Sequence, residues 1–199
     1  MARRPRRKAE ETRADILSMA EILFRQRGYV AVSIADIATA LGMSPANIFK
    51  HFHSKTALVD SIAEIHLGAA TERFGAVDGD LPAKEQLQRF VLRLLDSHLQ
   101  DIQDNPYIFE MVLTTIQAKL DAGTRYRERI EHRLEQIIRQ GVAAGSYKCT
   151  DTGHAAVTVA DVLACVLHPV LIARDDRDTL VHKAHDIVSF VDAALQNSA

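Results

Sequence analysis

The chain has no tryptophan, and aromatic residues make up only 6% of its 199 positions. It carries two cysteines, Cys149 and Cys165. That is too few for a disulfide scaffold, and they stand too far from one another for a zinc knuckle, so a reducing cytoplasm is the expected compartment. Nine glycines and five prolines leave no room for a low-complexity or collagen-like tract. Sustained alternation of β-branched residues is missing, and with it the signal for strands. The phosphate-cradling and nucleophile-elbow signatures are absent as well: there is no G-x-x-x-x-G-K-[ST], no G-x-G-x-x-G and no G-x-S-x-G. No apolar stretch follows the N-terminal charges as a secretory leader would require. The one run that resembles a membrane span, Ala155–Ala173, holds Asp161 near its middle. A buried acid there costs about 2.5–3.5 kcal/mol in a bilayer centre. His168 and Pro169 interrupt the run further, so no membrane partner is expected.

What is present is a folded composition. Apolar residues reach 47% and charged residues 25%, which excludes disorder as the dominant state. The length fits one domain or two small ones. The formal net charge of −2 conceals an uneven distribution. Residues 1–55 hold ten Lys/Arg against five acids, net +5, while the rest of the chain holds 14 against 21, net −7. A basic head on an acidic body is the arrangement of a protein that meets a polyanion at one end.

Helical spacing runs almost throughout, and about nine helices with no sheet are expected, an all-α fold. Ile16, Leu17, Ala20, Leu23 and Phe24 form a first stripe that Gly28 stops. Ile34, Ile37, Ala38 and Leu41 form a second, ended by Gly42. Ile48, Phe49 and Phe52 mark a third, and Ser54 caps a fourth with Leu58, Ile62, Ile65 and Ala69 on one face. The Gly75–Pro82 segment is loop chemistry. Beyond it, stripes begin at Leu87, Phe109 (with Asn105 as cap and Pro106 in the first turn), Ile130 and residue 151, and a last one runs from Leu180 to Leu195. Pro169 should kink or shorten the apolar helix at 151–173.

Ser33–Phe52, SIADIATALGMSPANIFKHF, reads as a helix, a tight turn at Gly42, and a second short helix opened by Ser44-Pro45. Ile48 and Phe52 lie four apart and face inward. Asn47, Lys50 and His51 fall on the other side, with Ala46 at the leading edge. A slim front of small, amide and cationic groups on an apolar back is what a major-groove reader needs. Asn47 can pair bidentately with adenine, and Lys50 can reach a guanine edge or a phosphate. Ser33-Ile34-Ala35-Asp36 resembles a capping box, whose free N–H groups suit a phosphate oxygen. Lys55 adds charge at the next helix start. Helix–Gly–helix turns occur in any all-α protein, so the surrounding residues must carry the argument.

They do so over residues 10–65. The run Thr12-Arg13, Ile16-Leu17, Ala20, Leu23-Phe24, Gly28-Tyr29, Ser33-Ile34, Ile37-Ala38, Leu41-Gly42, Ser44, Ile48-Phe49, His51-Phe52 and Ser54-Lys55 resembles the N-terminal domain of the TetR family of transcriptional repressors. The resemblance implies an all-α homodimer with a three-helix DNA-binding head and a larger helical ligand-binding and dimerisation body. On that pattern residues 1–9 form a basic flexible arm, 10–69 the DNA-binding domain and 70–199 the body. It implies DNA contacts from Ser33 and Ile34, from Ser44, Pro45, Ala46 and Asn47, from Phe49, Lys50 and His51, and from Lys55. Two positions depart from the family. Position 49 is usually tyrosine, and Phe49 lacks the hydroxyl that would donate to phosphate, which leaves a core role for it open. Position 46 is often glycine, and Ala46 adds a methyl that can touch a thymine methyl. The Arg3–Lys8 cluster either follows the DNA backbone or stands as a solvated tail.

The expected partners are double-stranded DNA carrying a near-palindrome, a second copy of the chain through helices 151–173 and 178–196, and a small-molecule effector. Polar and aromatic groups on the apolar stripes, His66, His98, Phe109 and Thr115, are the candidate ligand contacts; each also reads as a satisfied core residue. General pocket rules favour a hydrophobic or aromatic effector. His182 and His185, three apart beside Asp178 and Asp186, have metal-ligand spacing but read as a polar helix face, so neither metal nor cofactor is expected. The function expected is a ligand-responsive transcriptional repressor and no enzyme. A DNA-anchored interaction protein without an effector, or an all-α enzyme, are the alternatives.

Overall fold

A computed structural model describes residues 5–73, 80–172 and 174–197. Among them every regular element is helical: α1 (Pro5–Arg27), α2 (Ile34–Ala40), α3 (Pro45–Phe49), α4 (Lys55–Glu72), α5 (Ala83–Asp104), α6 (Pro106–Gln117), α7 (Asp121–Ala143), α8 (Thr152–Leu167), α9 (Pro169–Ile172) and α10 (Arg177–Asn197). These ten segments include α9, a single turn created by Pro169. The proline cannot continue the ladder of α8, so the apolar run expected at 151–173 is broken after Leu167; Ala173 lies outside the described residues. The expected arm differs too. Residues 5–9 already belong to α1, because Pro5 suits a first helical position and Arg, Lys, Ala and Glu are good helix formers. Arg3 and Arg4 lie outside the described residues, as do the side chains of Arg6, Arg7 and Lys8 and most of the expected 75–82 loop.

The chain divides into two compact units, Met1–Leu67 with Asp104–Thr124, and Gly68–Gln103 with Arg125–Ala199. The first unit is built on Ile16, Ala20, Phe24, Ile37, Ile48, Leu58 and Ile62, all fully buried. α6 belongs to it, contributing the buried Ile108, Met111 and Thr115. Polar ties secure that helix. The Tyr29 hydroxyl lies 3.2 Å from Thr114 Oγ1, and Arg25 donates to Asn105 Oδ1. Asn105 therefore makes no side-chain cap on α6, contrary to the sequence expectation: its acceptor is taken by an arginine 80 residues away. Asp60 on α4 accepts from the Ala122 N–H at 3.0 Å and so holds the first turn of α7.

The second unit packs α5, most of α7, α8 and α10 around Leu87, Val91, Leu94, Leu95, Leu134, Ile138, Leu163 and Leu180. Just after α4, Arg73 Nη2 donates to both oxygens of Asp101 at 2.8 and 2.7 Å and its Nε donates to Ser97 Oγ at 2.9 Å, a two-point clasp onto α5. Gly141 is required by a close approach. A Cβ there would stand 2.2 Å from the Tyr147 ring, and Tyr147 is buried with its hydroxyl donating to Asp192 at 3.0 Å.

His98 occupies the core of this unit. Its Nδ1 lies 3.0 Å from the Leu167 carbonyl and its Nε2 2.8 Å from the Tyr126 hydroxyl. A carbonyl only accepts, so Nδ1 carries the proton and Nε2 accepts from Tyr126. The histidine thereby satisfies a carbonyl at the end of α8, where Pro169 breaks the helix. Burial pushes the imidazole pKa from 6.5 down to about 4. The unfolded chain accepts a proton that the folded chain refuses, so stability falls as pH drops from about 6.5 and the loss levels off near 4, reaching about 3 kcal/mol. Denaturant titrations at pH 7, 6, 5 and 4 should show this decline. In His98→Gln the slope over the same window should shrink by about one proton.

Candidate nucleic-acid interface

α2 opens with a complete capping box. Asp36 N–H donates to Ser33 Oγ at 3.2 Å, and Ser33 N–H donates back to Asp36 Oδ2 at 2.7 Å. The Ser33 hydroxyl also donates to Asp36 Oδ2 at 2.5 Å. These bonds hold the Asp36 carboxyl below its usual range. Ser33 is thus exposed but chemically occupied, and what α2 can still offer a phosphate is the remaining N–H groups of its first turn, beside half-buried Ile34. Gly42, at φ +63°, makes the turn into α3 in a conformation that an L side chain resists.

α3 is shorter than the sequence suggests. It ends at Phe49, with Lys50 as C-cap, because the N–H groups of both His51 and Phe52 converge on the Ile48 carbonyl at 2.9 Å. The inward assignment of Ile48 and Phe52 matches their burial, 0% and 2% exposed. Arg13 from α1 lies over the Phe52 ring at 4.7 Å and donates to Ser61 Oγ on α4 at 3.1 Å. Sequence reasoning missed this brace; its only signal is a long cationic side chain one turn before the core stripe.

The outward face carries Pro45, Ala46, Phe49 and Lys50, all exposed, with Ser44 ahead of them. Phe49 is 50% exposed, so it is no core aromatic. Ser44 makes no side-chain cap bond, and its hydroxyl is not consumed by the helix it precedes. Asn47 and His51 are half-buried. Asn47 Nδ2 makes a long contact of 3.7 Å to Met43 Sδ, too weak to hold the amide away from a better acceptor. Ser54 caps α4 by accepting from the Ala57 N–H at 3.0 Å. Lys55 donates to the Val30 carbonyl at 3.2 Å and lies 5.6 Å from the centre of the Tyr29 ring. Partial burial lowers its pKa, opposed by the charge of Asp36. An ammonium has three N–H donors, so two remain for an anion.

The four candidate ligand contacts do not gather in one unit. His66, Phe109 and Thr115 stand in the first and His98 in the second. His66 Nε2 is 3.2 Å from Glu21 Oε1, an approach without hydrogen-bond geometry. Phe109 is half-buried. Thr115 is fully buried and donates to the Val112 carbonyl at 2.7 Å. His182 Nδ1 donates to the Asp178 carbonyl at 2.7 Å, and His185 Nδ1 accepts from Gln88. Among the described residues no group of three or more His, Cys, Asp or Glu could hold a metal, and no helix is long and apolar enough to cross a membrane.

Residues 16–62 match the family described as bacterial regulatory proteins, tetR family, and residues 83–188 match the tetracyclin repressor-like C-terminal domain. The chain belongs to the TetR family. It is 40% identical to the HTH-type transcriptional regulator AcrR of Shigella flexneri, over 96% of this chain and 92% of that protein. It is 30% identical to the HTH-type transcriptional regulator TtgR of Pseudomonas putida, over 98% and 95%. A TetR-family regulator from Pectobacterium atrosepticum shares the fold with a TM-score of 0.71 at 20% identity, over 96% and 97% of the two chains. In this TetR-family chain the helix-turn-helix is therefore α2 and α3, and the protein is a DNA-binding transcriptional regulator. Because the capping box sets where α2 begins, Ser33→Ala should cost about 1 kcal/mol in chemical denaturation.

Proposed function

We propose that the chain is a homodimeric repressor that lays two α3 helices in successive major grooves of a near-palindromic operator and leaves it when a small molecule binds. The exposed face of α3, fixed from behind by Ile48 and Phe52, is the observation that carries the DNA-binding half. Base edges would be met by Ser44, Pro45, Ala46, Asn47, Phe49 and His51. Phosphates would be met by Lys50, by Lys55 and by the first turn of α2 at Ser33 and Ile34. The TtgR and AcrR relatives, matched over nearly their whole length, are transcriptional regulators, and a shorter match, to the transcriptional repressor BdcR of Escherichia coli, is 37% identical over 65 residues.

The dimer half rests on the second unit. α8 and α10 border an open groove of about 330 Å³ whose walls include Val159, Val162, Val191 and Phe190. Phe190 is 71% exposed, and Val157 and Leu171 are also large apolar residues open to solvent. A groove with an exposed aromatic wall of this kind asks for a partner, and a second copy placed by a twofold axis covers the groove on both chains at once. Such a dimer spaces its recognition helices by about 34–36 Å, one turn of DNA. An effector acts by binding more tightly to the conformer that does not fit DNA, and DNA then weakens effector binding by the same factor. His66, His98, Phe109 and Thr115 remain the residues to substitute in search of that site.

Two measurements test the proposal. Full-length protein should retain duplex DNA at low salt. Lys50→Ala should weaken retention alike across sequences and reduce the slope of log affinity against log salt by about one per subunit. Retention unchanged in slope and strength would assign the wrong helix. In sedimentation at micromolar concentration the parent chain should run as a dimer and Phe190→Asp as a monomer; a parent monomer would reject the twofold assembly.

A further inference from the structure

The outward stripe of α3 is poor in hydrogen-bonding groups. Pro45, Ala46 and Phe49 are exposed there, and their side chains have no donor or acceptor. Lys50, the one charged member, sits at the C-cap. The amide that sequence reasoning favoured for base reading, Asn47, is half-buried beside Met43. Ala46 and Phe49 are three apart on a helix and so lie next to each other on its surface. The surface that leads this helix into a groove is accordingly a methyl group beside an aromatic ring.

The chemistry of base edges then restricts the partner. In the major groove guanine presents N7 and O6, adenine N7 and an amino group, and cytosine an amino group; only thymine presents an apolar group, its 5-methyl. An apolar side chain set against a polar edge strips water from it and returns no hydrogen bond, which is a net cost. Against a thymine methyl the same side chain gains buried apolar area. Resting on the DNA-binding reading above, we propose that Ala46 and Phe49 read thymine 5-methyl groups, so that the half-site is chosen by methyl contact at the centre of the α3 footprint and Lys50 supplies charge at its edge. Phe49 is then a specificity-determining residue. The lost tyrosine hydroxyl at this position removes a phosphate donor and leaves the bare ring to the bases.

The proposal is tested with a duplex selected by the full-length protein from a randomised pool. Each thymine of the half-site is replaced in turn by deoxyuridine, which deletes only the methyl group, and affinity is measured at one fixed salt concentration. One or two positions per half-site should each lose about fourfold, the worth of one buried methyl. In Phe49→Ala at least one of those positions should become insensitive to the replacement, while Phe49→Tyr should keep the sensitivity. Because Phe49 is half-exposed, the thermal unfolding of both variants should match the parent and so separate lost reading from lost folding. Sequence-specific binding that is indifferent to every deoxyuridine replacement would overturn the methyl reading and leave DNA binding intact. Failure to retain any duplex would overturn both.

Discussion

Five residues cannot hold a helix. Nucleation fixes several backbone angles for a single hydrogen bond, and isolated helices below about 12–15 residues are marginal in water. α3 exists because Ile48 is buried to 0% and Phe52, just past the helix, to 2%. Everything proposed for DNA depends on that anchoring. It converts a segment that would fray into a rigid edge, and it determines which side chains are left outside. Gly42 permits the left-handed turn into the helix, Pro45 presets its first backbone angle, and Arg13 braces the exit by covering the Phe52 ring.

The same logic of anchoring recurs in the second unit, with polar groups in place of apolar ones. Pro169 ends α8 and leaves carbonyls that the helix can no longer satisfy. His98 takes one of them and passes its other nitrogen to Tyr126. The core tolerates an imidazole because both nitrogens are occupied and the ring is neutral. Where α4 passes into this unit, Arg73 reaches Asp101 through Nη2 and Ser97 through Nε. A planar guanidinium held through two of its nitrogens is fixed in orientation as well as distance, so the end of α4 is held in angle against α5.

Much of this was legible in the sequence because it is local. The capping box at Ser33 and Asp36, the turn at Gly42, the Ser54 cap and the break at Pro169 each involve residues within four positions of one another, and each is present. The inward spacing of Ile48 and Phe52 was readable for the same reason. What escaped is long-range. Asn105 has the chemistry of a cap, yet its oxygen is claimed by Arg25. Asp60 reads as an ordinary surface acid on α4, yet it holds the first turn of α7. Lys55 reads as a free cation, yet it already donates to the Val30 carbonyl. Spacing also could not rank Asn47 against Phe49, since both fall near the edge of the helix face, and only burial separates the half-sunken amide from the exposed ring.

α6 was placed by its sequence position among the body helices, but it packs into the unit that holds the helix-turn-helix. The backbone therefore passes between the two units at 67/68, 103/104 and 124/125. No single proteolytic cut frees the head, and a fragment that stops at Leu67 loses the cover that Ile108 and Met111 provide. The compact unit that carries α2 and α3 is thus discontinuous in sequence, and it takes in a helix encoded some 40 residues after Leu67.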